Sequence, residues 1–206
     1  LSCPKNAIEM IENEEGFFYP KVTEDKCIDC GICVKKCPSL NNVEKEDFEM
    51  YGLAVVSKKK ETLLKSSSGA ASAVIAEKII TDGGVVFGVA YDENLFVHHT
   101  VCKDFTELEK IKGSKYVESF TGDTFKEAEL YLNGQKVLYT GSPCQIAGLK
   151  KYLGKDYDNL FTIDLICHGV PSRKLFKNYI EWLSKCYKDK VIYYGFRDKD
   201  VGGWSC

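Results

Sequence analysis

The stretch KVLYTGSPCQIAGLKKYLG, residues 136–154, reads as a short apolar strand that turns through glycine into a helix. Residues 136–140 have the branched and aromatic content of a buried strand, Gly141-Ser142-Pro143 breaks it, and residues 145–152 carry helical spacing up to Gly154. The same grammar continues on both sides. Residues 123–132 read as a helix closed by Asn133-Gly134, which suit the last carbonyls of a helix. Residues 160–167 form a strongly apolar strand, 172–187 a helix and 191–196 another strand. Alternation of helix and strand from residue 123 onward predicts a mostly parallel sheet covered by helices. Upstream, residues 51–57 read as a strand and 66–80 as a helix. Val85–Tyr91 and Val97–Cys102 read as strands joined by the turn Asp92-Glu93-Asn94.

The first 42 residues are of another kind: short, charged and turn-rich, with Glu14-Glu15-Gly16 as a turn ahead of Phe17-Phe18-Tyr19-Pro20. They contain Cys27-Ile-Asp-Cys30-Gly-Ile-Cys33-Val-Lys-Lys-Cys37-Pro38. This CxxCxxCxxxCP spacing is that of bacterial ferredoxin-type 4Fe–4S ligation, in which three thiolates share one cube and the fourth reaches a neighbouring cube. Cys3-Pro4 has the form of the end of a preceding motif of the same kind. By the crossed pattern, Cys3, Cys27, Cys30 and Cys33 share a cube and Cys37 serves the other. Zinc is the rival for closely spaced thiols, but its usual signature is separated CxxC or Cys/His pairs. The fold class is therefore a small ferredoxin-like 4Fe–4S module, residues 1–45, followed by an α/β domain, residues 48–206, with residues 41–47 as a polar linker. Leu1 in place of methionine and the stop at Trp204-Ser-Cys206 read as the cut ends of a longer protein.

Composition narrows the classes. The chain has 206 residues, 44% hydrophobic and 28% charged, which is ordinary for a globular protein. A formal net charge of −2 supplies no basic excess to neutralise phosphates and argues against a nucleic-acid partner. The apolar runs are strand-sized, so no membrane span is expected. Ten cysteines without an export signal argue against a disulfide scaffold and place the chain in a reducing, cytoplasmic and oxygen-poor setting.

Three further stretches are candidate binding elements. Ser66, Ser67, Ser68 and Gly69 precede a helix, where hydroxyls and free amides suit a phosphate, although such helix starts also serve as plain caps. Lys112, Gly113, Ser114 and Lys115 form a glycine loop with two lysines. Gly141, Ser142, Pro143 and Gln145 lie at the carboxyl end of a strand, where open α/β sheets bind ligands. Cys144 beside them, near a helix start, is poised as a reactive or metal-bound thiolate. Cys167, ahead of His168, ends the next strand, so adjacency of the two strands would bring Cys144 and Cys167 together. Cys102 and Cys186 read as buried structural cysteines.

The motifs SSSGAAS, GSKYV, TGSPCQIAGLK, DLICHGVPS and FRDKDVGGW, behind a ferredoxin motif, resemble those of the coenzyme F420 hydrogenase/dehydrogenase beta-subunit family. The resemblance implies an iron–sulfur flavoprotein that binds FAD, passes electrons between 4Fe–4S clusters and the flavin, and exchanges hydride with coenzyme F420 or another small acceptor. It implies Ser66, Ser67, Ser68 and Gly69 at the flavin-binding helix start, and Lys112, Gly113, Ser114, Lys115, Gly141, Ser142, Pro143 and Gln145 along the cofactor pocket. Cys144 and Cys167 match cysteines suited to an additional cluster. The family pattern has glycine where this chain has Ala70, a departure that bears on how closely a phosphate approaches there. The reading is an FAD/iron–sulfur oxidoreductase working with a redox partner protein or subunit, in which no side-chain acid or base need carry the chemistry. The alternative is a non-catalytic electron-relay subunit without its own flavin.

Overall fold

The computed structural model describes residues 2–41, 51–197 and 199. In the N-terminal module, strands β1 (Ile8–Glu12) and β2 (Phe18–Val22) form an antiparallel hairpin with Ile8 opposite Val22 and Glu12 opposite Phe18. A 3-10 turn, Glu24–Lys26, and helix α1 (Ile32–Lys36) follow. Sequence patterning does not reveal this hairpin, because neither IEMIE nor FYPKV alternates cleanly and both strands are largely exposed. Among residues 2–41 only Ala7 and Gly16 are buried, so the module has no apolar core of its own.

The second part opens with helices α2 (Lys60–Leu64) and α3 (Ala71–Thr81), then strands β3 (Val85–Tyr91) and β4 (Val97–Cys102). Helix α4 (Phe105–Ile111), helix α5 (Thr124–Tyr131), strand β5 (Val137–Gly141), helix α6 (Pro143–Leu153), strand β6 (Leu160–Asp164) and helix α7 (Arg173–Tyr187) complete it. The sheet order is β4-β3-β5-β6, with β3–β5 and β5–β6 parallel and β4 antiparallel at one edge. The expected α/β sheet, mostly parallel and helix-covered, is present.

Successive strand residues point to opposite faces, and this alternation builds two cores. Val85, Phe87, Val137 and Tyr139 pack against Ala128, Ile146, Leu149 and Leu153 from α5 and α6. Val86 and Leu138 face the other way, against Ala76, Ile79, Ile80 and Leu108 from α3 and α4. Burial of each such large side chain contributes about 1.5–3 kcal/mol. Tyr139 brings a polar atom into its core, and its hydroxyl is paired with Thr124 Oγ1 at 2.7 Å.

Several sequence readings are corrected. Residues 51–57 form no strand; Tyr51, Leu53 and Val56 stay exposed, and Ser57 N–H donates to the Gly69 carbonyl instead of to a ladder. Residues 66–70 are not helical, because Ala70 takes the left-handed conformation (φ 68°) that starts α3 at Ala71. Residues 191–196 form no strand either. Tyr194 and Phe196 turn to pack on Phe176 of α7, with ring centroids 5.5 and 5.7 Å apart, which leaves β6 at the edge of the sheet. Strand β6 ends at Asp164, leaving Leu165, Ile166 and Cys167 exposed. Cys102 is buried, but Cys186 is exposed on α7. The linker read at 41–47 lies, beyond Asn41, outside the described residues, as do Trp204 and Cys206.

Candidate cluster and cofactor site

Cys3, Cys27, Cys30 and Cys33 line a single hollow, together with Ala7, Ile8, Val22, Ile28 and Ile32. The loop after β2 brings Cys27 and Cys30 to it, α1 supplies Cys33, and the turn before β1 supplies Cys3. Cys37 is not part of this lining; it caps the end of α1, its N–H donating to the Val34 carbonyl. Backbone amides already point at one ligand atom, since Ala7 N–H donates to Cys3 Sγ at 3.3 Å. That amide, with those of Lys5 and Asn6, holds the Cys3 thiol below its ordinary range. Among the described residues no three acidic, cysteine or histidine side chains close around one point as a single ion requires. A 4Fe–4S cube takes one thiolate per iron, so its four ligands stand around it. Four thiols around an apolar hollow, with amides free to donate to sulfur, fit that group.

At the carboxyl end of β5 a second set of side chains is tied into one network. His99, from β4, is buried, and its Nε2 lies 3.1 Å from the Thr140 carbonyl. A carbonyl only accepts, so Nε2 carries the proton and Nδ1 accepts from Ser119 Oγ at 3.1 Å. Ser119 Oγ in turn accepts from Gln145 Nε2 at 2.9 Å, and Gln145 Oε1 accepts from Ser142 N and Ser142 Oγ at 3.0 and 3.1 Å. Ser142 Oγ also lies 3.1 Å from Cys144 Sγ. Burial pulls the His99 pKa down to about 4, outweighing the Thr140 carbonyl, so the ring is neutral at pH 7. A side chain at position 141 would crowd this network: a Cβ there would stand 3.1 Å from Gln145 Oε1.

A groove of about 700 Å³, within the size range of cofactor pockets, opens between α2, the end of α4, residues 192–197 and Lys199. It is lined by Lys112, Gly113, Ser114 and Lys115 and by the rings of Tyr91, Tyr193, Tyr194 and Phe196. Four of its lysines, Lys65, Lys112, Lys115 and Lys199, already have protein partners. Lys112 Nζ lies 2.6 Å from Glu109 and 3.5 Å from Glu77, and Lys65 Nζ bridges Glu61 and Glu109. Lys115 Nζ donates to the carbonyls of Lys110, Lys112 and Gly113 at 3.1, 2.9 and 3.4 Å, while burial brings its pKa down to about 8.

The serine run and the lysine loop meet, since Ser114 N–H donates to Ser67 Oγ at 2.6 Å. Ser66 Oγ is buried on the Thr62 carbonyl, the Ser68 carbonyl accepts from Lys199, and Gly69 is pressed onto the Val55 carbonyl. Gly141, Ser142, Pro143 and Gln145 do not line the groove. Cys144 and Cys167 are both exposed and follow adjacent strands, in which Gly141 pairs with Asp164. Sequence reading missed His99 and Ser119. One signal was available for His99: in β4 it shares a face with Val97 and Val101, an apolar setting for an imidazole.

Among the described residues no helix is long and apolar enough to cross a membrane. No curated protein matches the chain. Among solved structures, a chain of the F420-reducing NiFe hydrogenase complex from Methanosarcina barkeri is similar, with a TM-score of 0.50 and 23% identity over 61% of this chain. At that identity the likeness concerns the fold, and this chain spans 47% of that one. Residues 1–41 match the family of the 4Fe-4S dicluster domain, and residues 134–203 match the C-terminal part of the coenzyme F420 hydrogenase/dehydrogenase beta subunit. The chain thus carries a 4Fe–4S module at its head, and over residues 134–203 it is similar to the C-terminal part of the coenzyme F420 hydrogenase/dehydrogenase beta subunit.

Proposed function

We propose that the chain is the electron-handling part of an FAD/iron–sulfur oxidoreductase, passing electrons between 4Fe–4S cubes and a flavin and from the flavin, as hydride, to a deazaflavin or another small acceptor. The observation that carries this reading is the apolar hollow ringed by Cys3, Cys27, Cys30 and Cys33. In this reading those four thiolates hold one cube, Cys37 serves the second, and Cys144 with Cys167 contributes to an additional cluster. The ring-lined groove receives the flavin, with Gly113 and Ser114 on its phosphate side and Ser67 of the serine run behind Ser114. When bound, FAD supplies the conversion between two-electron hydride chemistry and single-electron transfer. The protein's own share is to hold, orient and shield, with Lys115 and the helix starts offering positive charge to an anionic group. The electron donor or acceptor is a redox partner protein or subunit, and the cysteine usage fits a reducing cytoplasm.

One observation favours a second reading, an electron-relay subunit without flavin: Lys65, Lys112 and Lys115 are already engaged by protein acceptors. One experiment separates the two. Full-length protein purified without oxygen is expected to show a flavin spectrum and to release FAD on denaturation. Iron–sulfur absorbance with no released flavin would select the relay.

A further inference from the structure

We infer that the first turn of α7 is the seat of the iron–sulfur module, and that Arg173 is a positioning residue fixing where the Cys3–Cys27–Cys30–Cys33 hollow stands relative to the α/β domain. The consequence for electron flow rests on the function proposed above; the seat rests on contacts alone. Three successive residues grip one turn of the module. Ser172 Oγ donates to the Glu15 carbonyl at 2.5 Å and Lys174 Nζ to the Glu14 carbonyl at 2.9 Å, across 157 and 160 residues of sequence. Between them the Arg173 guanidinium lies 4.6 Å from the Phe18 ring of the module, and 5.2 and 5.1 Å from Phe96 and Phe120 of the α/β domain.

This cation is held by rings from both bodies. Its Nε stands 3.6 Å from Glu118 Oε2, and both atoms are buried without a hydrogen-bond partner, so the pair depends on the surrounding rings to stay in place. Gly16 makes the fit tight. Its φ is +89°, and a Cβ there would fall on Lys174 Cβ and within 2.9 Å of Ser172 Oγ. A second anchor lies elsewhere on the module, where Lys36 donates to the Tyr152 carbonyl and lies 5.3 Å from the Tyr152 ring centre. Two separated anchors remove rotation about either one. A module without its own core thus takes its orientation from α7 and α6.

The test uses full-length protein purified without oxygen, as wild type and as Arg173→Ala, Gly16→Ala and Phe18→Leu. Amide hydrogen exchange is read over residues 13–18 and 171–176, alongside iron and flavin content and the rate of electron equilibration between cube and flavin after rapid reduction. The variants are expected to keep their iron, and exchange in both segments speeds by about tenfold, as loss of a desolvated cation–ring contact implies. Equilibration slows by about tenfold or more, since small displacements of a reacting pair are costly. Arg173→Lys, which keeps charge but loses the planar face, falls between. Wild-type exchange in Arg173→Ala and Phe18→Leu overturns the seat. Faster exchange with an unchanged electron rate overturns the positioning role. A wild type without flavin overturns the flavoprotein reading alone, and exchange then still decides the seat.

Discussion

At the scale of single residues, His99 and Lys115 show how position outweighs residue type. His99 lies on a strand face among apolar neighbours, and its two ring nitrogens are satisfied by Thr140 and Ser119, which locks the neutral tautomer. Its folded pKa, about 4, lies below the ordinary 6.5. The unfolded chain therefore takes up this proton first as pH falls, so the contribution is complete above about pH 6.5 and is lost as pH drops toward 4. That linkage amounts to about 2 kcal/mol between pH 7.5 and 5. Urea unfolding of His99→Gln at those two pH values should show a stability difference smaller by about that amount; an unchanged difference would refute the assignment. Lys115 has the loop itself as its partner. Its ammonium donates to three carbonyls at the end of α4, two of these bonds being exposed to water, so Lys115→Met is expected to cost about 1 kcal/mol in chemical unfolding; a cost near zero would show that water replaces the lysine fully.

At the scale of elements, caps decide where the candidate loops begin. Helix α4 is capped by Asp104, whose Oδ1 accepts from Glu107 N at 2.8 Å while Glu107 Oε2 accepts from Lys103 N at 2.7 Å. Asp104→Ala should cost about 1 kcal/mol and raise exchange at the first turn of α4; full retention of stability would show that packing of Leu108 alone holds the helix. Helix α6 uses Ser142, Pro143 and Gln145 in the same way, so the residues read as pocket-lining also serve as its start signal. Elements with such local signals were legible: Val85–Tyr91 and Val97–Cys102 match their strands residue for residue. Residues 191–196 were not, because their apolar side chains are equally able to enter a sheet or to pack on Phe176, and the second occurs.

At the scale of the whole molecule, the two parts differ in what holds them together. The α/β domain has apolar cores on both faces of its sheet and a third cluster of Leu95, Val97, Val117 and Phe176, whereas residues 2–41 bury only Ala7 and Gly16. Removal of iron by chelation is therefore expected to unfold residues 2–41 selectively, with exchange in β1 and β2 rising while β3 and β5 stay protected. Equal protection of the hairpin with and without iron would show that the seat on α7 suffices. In the same framework Cys30→Ala should lose one cube's iron and keep the flavin; full iron retention would break the ligand assignment.

The sequence by itself determined the cluster motif, the α/β class and most strand positions, because each depends on spacing or periodicity within a few neighbouring residues. The KVLYTGSPCQ stretch is such a case, with strand, break and cap contiguous. Only the tertiary structure decided that Ser67 meets Ser114, that His99 and Ser119 lie behind Gln145, and that Arg173 holds Phe18. These contacts join residues remote in sequence. Their energies depend on burial and on which donors already have acceptors, and both arise only when the sheet, its helices and the module pack together.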